Sequence, residues 1–90
     1  MGSYDIQWKK SAINELRKID KRFISRIIRA VENLVTNPFP LQSKKLHGSE
    51  YIHRLRIGDY RVVYQVNSEA KIITIYHVRH RKDIYRREIY

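Results

Sequence analysis

The sequence predicts an α+β fold in which two N-terminal helices pack on one face of an antiparallel sheet. Three observations point to it. Apolar residues recur every three or four positions in the first half, apolar and polar residues alternate in the second half, and a short alternating segment precedes the helices. The 90 residues match a single domain, covering 1–90, because domains usually contain about 50 to 200 residues.

The first half of the chain predicts one strand and two helices. Residues 4–8 alternate apolar and polar side chains, as a half-buried strand does. Residues 13–19 place apolar side chains three apart after Ser11, which suits a short helix with Ser11 as its N-cap. Residues 23–35 form a longer amphipathic stripe. The Asn-Pro-Phe-Pro segment that follows ends this helix, and the short connection between the two helices predicts an antiparallel hairpin.

The second half predicts a three-stranded meander. Residues 52–57, 60–66 and 72–78 are rich in β-branched and aromatic side chains. Gly58-Asp59 separates the first two segments, and a two-residue loop with glycine first suits a type II′ turn. A polar segment after the second strand predicts the next turn. Together with the N-terminal strand, the meander predicts an antiparallel four-stranded sheet.

The predicted hairpin gathers arginines on one face of the sheet. With Gly58-Asp59 as the loop, Arg56 lies opposite Arg61, and Arg54 shares their face because side chains alternate between faces along a strand. The face that receives the helices then holds Leu55, Ile57, Tyr60, Val62 and Tyr64. Like charges directly opposed across a hairpin destabilise it by roughly 0.2–1 kcal/mol. The arrangement is compatible with an anion-binding site and equally with solvated arginines on an open sheet face.

The composition favours a polyanionic partner. Lys and Arg number 19 against 9 Asp and Glu, which gives a net charge of +10, and both halves of the chain are basic. The absence of cysteine excludes disulfides, thiolate zinc sites and a cysteine nucleophile. No segment approaches the roughly 18 apolar residues of a membrane span. We therefore expect a cytoplasmic protein with no membrane partner.

The C-terminal segment from His80 to Tyr85 combines an imidazole, a guanidinium and a phenol. Such groups can act together on a phosphodiester, where each well-placed donor lowers the barrier by about 3 kcal/mol. The alternatives are a packed aromatic for Tyr85 and a solvated basic end for Arg81 and Lys82. His77 and His80 have the spacing of half a metal site, but no carboxylate or thiol at a recognisable spacing completes it.

Three segments of the sequence carry a resemblance to a known family. They are Lys44-Lys45-Leu46-His47-Gly48, Arg54-Leu55-Arg56-Ile57-Gly58-Asp59-Tyr60-Arg61-Val62-Val63-Tyr64 and His80-Arg81-Lys82-Asp83-Ile84-Tyr85. In their order and spacing, from Tyr4 to Tyr85, the sequence resembles the RelE/ParE superfamily of toxins from bacterial and archaeal toxin–antitoxin pairs. The resemblance implies a four-stranded antiparallel sheet that carries two helices, which is the architecture that the periodicity predicts.

The resemblance also implies a function. RelE-like members are ribosome-dependent endoribonucleases that cut mRNA, whereas ParE-like members share the fold and inhibit DNA gyrase without nuclease chemistry. The RelE type uses no metal or other cofactor. The RNA 2′-hydroxyl attacks the adjacent phosphate and leaves a cyclic phosphate and a 5′-hydroxyl. The matched segments favour the RelE branch, with the ribosome, mRNA and a RelB-like antitoxin as partners in a toxin–antitoxin complex. A non-catalytic ribosome- or RNA-binding module is a further alternative.

The resemblance assigns catalytic roles by position. Arg61 and Arg81 match the family's catalytic arginines, and Tyr85 matches its catalytic tyrosine near the C-terminus. Where RelE carries lysines on a strand, this sequence carries Ile52 and Arg54. Arginine is a poor general base because its pKa lies above about 12. We therefore predict that His80 accepts the proton, since imidazole titrates near neutrality.

Further basic side chains are predicted to contact RNA. They are Arg54, Arg56, Lys44, Lys45 and Lys82. For the lysines the alternative is a solubilising surface, and only phosphate contacts would produce steep salt dependence. His53 alternates away from the arginines in the predicted register, so we expect it on the side of the sheet that faces the helices.

Overall fold

The computed structural model describes residues 3–46, 48 and 51–82. In this part of the chain the elements are β1 (Asp5–Trp8), α1 (Lys10–Arg17), α2 (Lys21–Asn33), β2 (Ser43–Lys45), β3 (Ile52–Ile57), β4 (Tyr60–Asn67) and β5 (Ile72–His80). The two helices and the three strands of the meander lie where the sequence predicts them. The α+β class is therefore confirmed.

The sheet differs from the predicted one in two respects. It has five strands in the order β1-β5-β4-β3-β2, and β1 runs parallel to β5 while the other pairs are antiparallel. The prediction of four antiparallel strands is wrong because alternation along residues 4–8 reveals a strand but neither its neighbour nor its direction. The fifth strand, β2, was not predicted, because its Ser-Lys-Lys sequence has no apolar alternation and its pairing with β3 alone defines it.

The two helices begin in different ways, and the predicted start of the first helix is wrong. α2 begins after Asp20, whose carboxylate accepts a hydrogen bond from the Arg22 backbone N–H at 2.9 Å. The predicted N-cap Ser11 is instead inside α1, which begins at Lys10. The Lys9 N–H still bonds to the Ile75 carbonyl, so the chain passes from sheet to helix without a capping side chain. The Ser11 hydroxyl is thereby available for a different contact.

Both helices pack on one face of the sheet, which we call the helix face. Their apolar side chains join one buried cluster with those of the strands, including all five residues predicted for this face: Leu55, Ile57, Tyr60, Val62 and Tyr64. Tyr64 is fully buried, and its hydroxyl donates to the Pro38 carbonyl at 2.7 Å. This bond satisfies the buried phenol and ties the segment after α2 to the sheet. Neither helix of the described residues has the length and apolar character needed to cross a membrane.

Candidate functional site

The β3–β4 hairpin has the predicted register. Arg56 pairs with Arg61, Ile57 pairs with Tyr60, and Gly58 and Asp59 form the loop between them. Gly58 has a φ of 59° and Asp59 does not have a positive φ, which fits a type II′ turn rather than type I′. The turn therefore fixes which strand positions face away from the helices.

A β-bulge in β5 decides where the side chains of its second half point. Val63 pairs with His77 but Tyr64 pairs with Ile75, so Tyr76 is an extra residue between the two pairs. Ile75 and its cross-strand partner Tyr64 both face the helices. Strict alternation from Ile75 would turn every second residue after it toward the helices as well. The extra residue reverses this alternation, so His77 and Arg79 point to the opposite face.

Three arginines lie side by side on that opposite face, which we call the arginine face. Arg56 pairs with Arg61 across β3 and β4, and Arg61 pairs with Arg79 across β4 and β5. We call these three residues the arginine row. Arg61 is 9% exposed and the Arg79 side chain is 14% exposed, whereas Arg56 is exposed. Two adjacent guanidinium groups are thus held largely out of water, where charges interact more strongly than in bulk solvent.

The Gly58-Asp59 turn anchors two predicted catalytic residues. Arg61 Nη1 donates to the Gly58 carbonyl at 2.9 Å and to the Tyr60 carbonyl at 3.0 Å. The Arg81 backbone N–H donates to the Asp59 carbonyl at 2.8 Å. Arg81 Nε also lies 3.9 Å from Asp59 Oδ1, with 53% of the side chain exposed. One turn therefore brings Arg61 and Arg81 to the same end of the sheet.

Helix α1 covers the edge of β5 beyond the point where β1 ends. The Ser11 hydroxyl donates to the Tyr76 carbonyl at 3.0 Å, and Glu15 Oε1 accepts from the Val78 backbone N–H at 3.1 Å. Glu15 Oε2 accepts from Arg79 Nε at 2.7 Å, and Glu15 Oε1 lies 3.2 Å from His77 Nδ1. Polar side chains of α1 thus take the place of a neighbouring strand, and one carboxylate reaches two cationic or titratable side chains of the arginine face.

Arg79 was not among the predicted site residues. Its Nη1 is buried and has no hydrogen-bond partner among the described residues, so this donor is unsatisfied within the described part of the chain. The signal that could have identified it is the break in apolar alternation between Ile75 and Val78. Both are buried in the same cluster although they are three residues apart. Such a break in a strand indicates a bulge and a reversal of the faces that follow it.

Known proteins match nearly the whole chain. The family described as the ParE toxin of type II toxin–antitoxin system, parDE, matches residues 6–85. The chain belongs to the RelE/ParE toxin family. A RelE-like toxin protein of Escherichia coli is 33% identical over 86 residues, which cover 91% of this chain and 90% of the relative. Toxin RelG of Mycobacterium tuberculosis is 30% identical over 89 residues, which cover 93% and 98% of the two chains.

The structural comparison agrees with the sequence comparison. The archaeal RelE–RelB complex from Pyrococcus horikoshii contains a chain that superposes with a TM-score of 0.79 at 30% identity, covering 88% of this toxin and 96% of that chain. The RelB–RelE complex from Methanococcus jannaschii gives a TM-score of 0.73 at 26% identity, covering 88% and 94%. The five-stranded toxin fold described above is therefore the RelE fold.

The remaining basic residues of the toxin divide between the two faces. Lys44 pairs with Arg54 on β3, and Arg54 shares a face with Arg56 because the two are separated by one residue. This places Lys44 and Arg54 on the arginine face, beside the row. Lys45 pairs with His53 and points the other way. Lys82 is exposed, while Tyr85 and His47 lie outside the described residues.

His80 lies on the helix face of the toxin, away from Arg61. It pairs with Tyr60 across the strands, and the two rings meet edge to face with centroids 5.5 Å apart. Its Nδ1 accepts from the Lys82 backbone N–H at 3.3 Å. His80 also lines an open groove of about 490 Å³ together with Glu15. Since His77 lies on the other face, the two histidines of the His-x-x-His spacing do not converge on one metal ion.

His53 occupies the helix face, as predicted. It is 8% exposed and its ring contacts Tyr64 and Phe39, with centroid distances of 5.5 and 5.0 Å. Burial lowers the pKa of His53, and the nearby positive charge of Lys45 lowers it further. This histidine is therefore a neutral part of the core and does not belong to the site.

Proposed function

We propose that this toxin is a ribosome-dependent endoribonuclease that cleaves mRNA, and that the arginine face is its substrate-binding and catalytic surface. The observation that supports it is the arginine row, because like charges on adjacent strands destabilise the sheet by roughly 0.2–1 kcal/mol per pair. A phosphodiester bound between them would reverse that effect. Arginine binds phosphate oxygens through two parallel hydrogen bonds, which suits this task better than lysine.

The reaction we propose needs no redox step. The RNA 2′-oxygen forms a bond to the adjacent phosphorus, the bond from phosphorus to the 5′-oxygen breaks, and the products are a cyclic phosphate and a 5′-hydroxyl. Negative charge grows on the phosphate oxygens as the 2′-oxygen attacks. Arg61 and Arg81, anchored on one turn, would stabilise this charge, and a well-placed donor contributes about 3 kcal/mol to such a step.

The other predicted residues would hold the RNA. Arg54, Arg56 and Lys44 lie on the arginine face and would bind the phosphates that flank the scissile one. Lys82 follows β5, is exposed and would contact RNA there. Lys45 faces the other side, so we propose that it contacts ribosomal RNA rather than the cleaved strand. For Tyr85, the resemblance supports a contact with a base.

We also propose that an acidic or amphipathic RelB-like antitoxin covers this basic surface. Two chains of similar structure were crystallised as RelE–RelB complexes. A chain with a net charge of +10 attracts an acidic partner through long-range electrostatics. Covering the arginine row would block access to the substrate phosphate and silence the toxin.

Primer extension on programmed ribosomes tests this function. We expect the parent protein to generate new 5′-hydroxyl ends in mRNA, and Arg61→Ala and Arg81→Ala each to slow cleavage by about 100-fold or more. Arg29→Ala is the matched control, because Arg29 is an exposed arginine of α2, and we expect it to cut at the parental rate. Parental rates for both Arg61→Ala and Arg81→Ala would refute the assignment. Translation arrest without new ends would indicate a non-catalytic RNA-binding module.

Inhibition of DNA gyrase is the second candidate, because the matched family is described as the ParE toxin. A protein of that branch acts by binding gyrase and carries out no nuclease chemistry. A supercoiling assay separates the two candidates, since the ParE branch inhibits gyrase and leaves mRNA intact. We expect this toxin to leave supercoiling unchanged at concentrations that cleave mRNA.

A further inference from the structure

The proposed reaction requires an acceptor for the 2′-hydroxyl proton, and the structure offers one that the sequence analysis did not select. We propose that His77 is this proton acceptor and that Glu15 of α1 is the positioning residue that orients its ring. The inference rests on the proposed function, because it concerns the same arginine face. It adds a base and a helix-borne carboxylate to a site otherwise composed of cations.

The contacts of Glu15 fix the carboxylate in place. Oε1 accepts from the Val78 backbone N–H at 3.1 Å, and Oε2 accepts from Arg79 Nε at 2.7 Å. Donors of β5 therefore bind both oxygens independently of the contact with the imidazole. A carboxylate held in this way has little freedom to follow the histidine ring, so it sets the orientation of the ring.

The contact with the ring sets the tautomer of His77. Nδ1 lies 3.2 Å from Glu15 Oε1, and a carboxylate accepts but does not donate, so Nδ1 carries the hydrogen. In the neutral ring, Nε2 is then the atom with a free lone pair. A histidine whose Nδ1–H is held by a carboxylate is the general-base arrangement of the serine hydrolases. The side chain of His77 retains 19% exposure.

The sheet places His77 beside the arginine row. It precedes Arg79 by two residues on β5, and its cross-strand partner Val63 follows Arg61 by two residues on β4. Diagonal neighbours on one face of a sheet lie roughly 7–8 Å apart, within reach of long side chains. An RNA whose phosphate contacts Arg61 and Arg79 thus brings its ribose next to His77. His80 lies on the opposite face.

The proton transfer completes the reaction. As the 2′-oxygen bonds to phosphorus, its proton moves to Nε2 of His77, and the imidazolium is stabilised by the Glu15 carboxylate. The 5′-oxygen leaves with the electron pair of its bond to phosphorus and takes a proton from water. The imidazolium then returns its proton to solvent, which restores the free toxin.

Glu15 also caps the edge of β5, so the test must separate positioning from folding. We would measure single-turnover cleavage of mRNA on programmed ribosomes for His77→Ala, with and without added imidazole. We expect a loss of about 100-fold or more in the rate, with part of the activity restored by imidazole. Glu15→Gln keeps the size of the side chain, but its amide can donate to Nδ1 and favour the wrong tautomer. We expect it to lower kcat about tenfold or more at unchanged KM.

Controls separate this inference from the proposed function. Glu32→Gln removes an exposed carboxylate of α2 and should cut at the parental rate, and His77→Gln provides a second variant should His77→Ala fold poorly. Parental rates for both His77 variants would overturn the inference alone. Slow cleavage by His77→Ala that imidazole does not restore, together with a lower melting temperature, would also overturn it. Imidazole that restores the activity of His80→Ala but not of His77→Ala would overturn it as well. A parent protein that leaves mRNA intact would overturn the proposed function together with the inference.

Discussion

The two faces of the sheet differ in the burial and pairing of their side chains, even for neighbouring residues of one strand. Leu55 is 3% exposed within the core on the helix face, and the next residue, Arg56, is exposed opposite Arg61 on the arginine face. On the helix face the buried phenol of Tyr64 is satisfied. On the arginine face like charges are opposed and Arg79 Nη1 has no partner among the described residues. One face therefore stabilises the fold, while the other holds opposed charges and an unsatisfied donor.

Truncation of the core is expected to have the largest effect on stability. Leu55→Ala should lower the free energy of unfolding by about 3–5 kcal/mol, because it removes buried methyl groups and leaves a cavity. Urea denaturation measures the loss, and mRNA cleavage per folded molecule should remain near the parental value. A loss well below 1 kcal/mol would show that the helix face does not dominate stability.

Removing a charge from the arginine face is expected to raise stability and to change RNA binding. Arg56→Gln should raise the free energy of unfolding by roughly 0.2–1 kcal/mol, because it relieves the opposition with Arg61. If Arg56 contacts a phosphate, the slope of log affinity against log salt for RNA should become shallower by about 1. Urea denaturation and RNA-binding titrations at several salt concentrations measure the two effects. Arg29→Gln, on α2, should leave the salt slope unchanged, and an unchanged slope for Arg56→Gln would remove Arg56 from the RNA-binding surface.

The part of the site that the sequence predicts correctly is local. The register of Arg56 against Arg61 follows from a two-residue turn and the alternation of a strand, and both are encoded within a few residues of Gly58. The position of His53 on the helix face follows from the same alternation. These features need no knowledge of the rest of the chain, which is why the structure confirms them.

The features that the sequence does not reveal depend on distant contacts. Arg79 reaches the arginine face only because Tyr76 is accommodated as a bulge, and a bulge is set by pairing between strands. Glu15 meets β5 across more than sixty residues of chain, so no local pattern marks it. The short β2 strand and the parallel direction of β1 are likewise decided by their partners in the sheet.

The smallest expected effect is a dependence of the free energy of unfolding on pH, caused by His53 on the helix face. Burial and the charge of Lys45 hold the pKa of His53 below its ordinary value of 6.5. As the pH falls through 6.5, the unfolded chain binds a proton at His53 while the folded chain does not, so the free energy of unfolding decreases. Urea denaturation at pH 7.5 and about 5.5 measures this decrease, and His53→Gln should show a smaller one than the parent. Equal decreases in both proteins would mean that His53 takes up a proton as readily in the core as in the unfolded chain. The histidine of the helix face would then not differ from a solvated one.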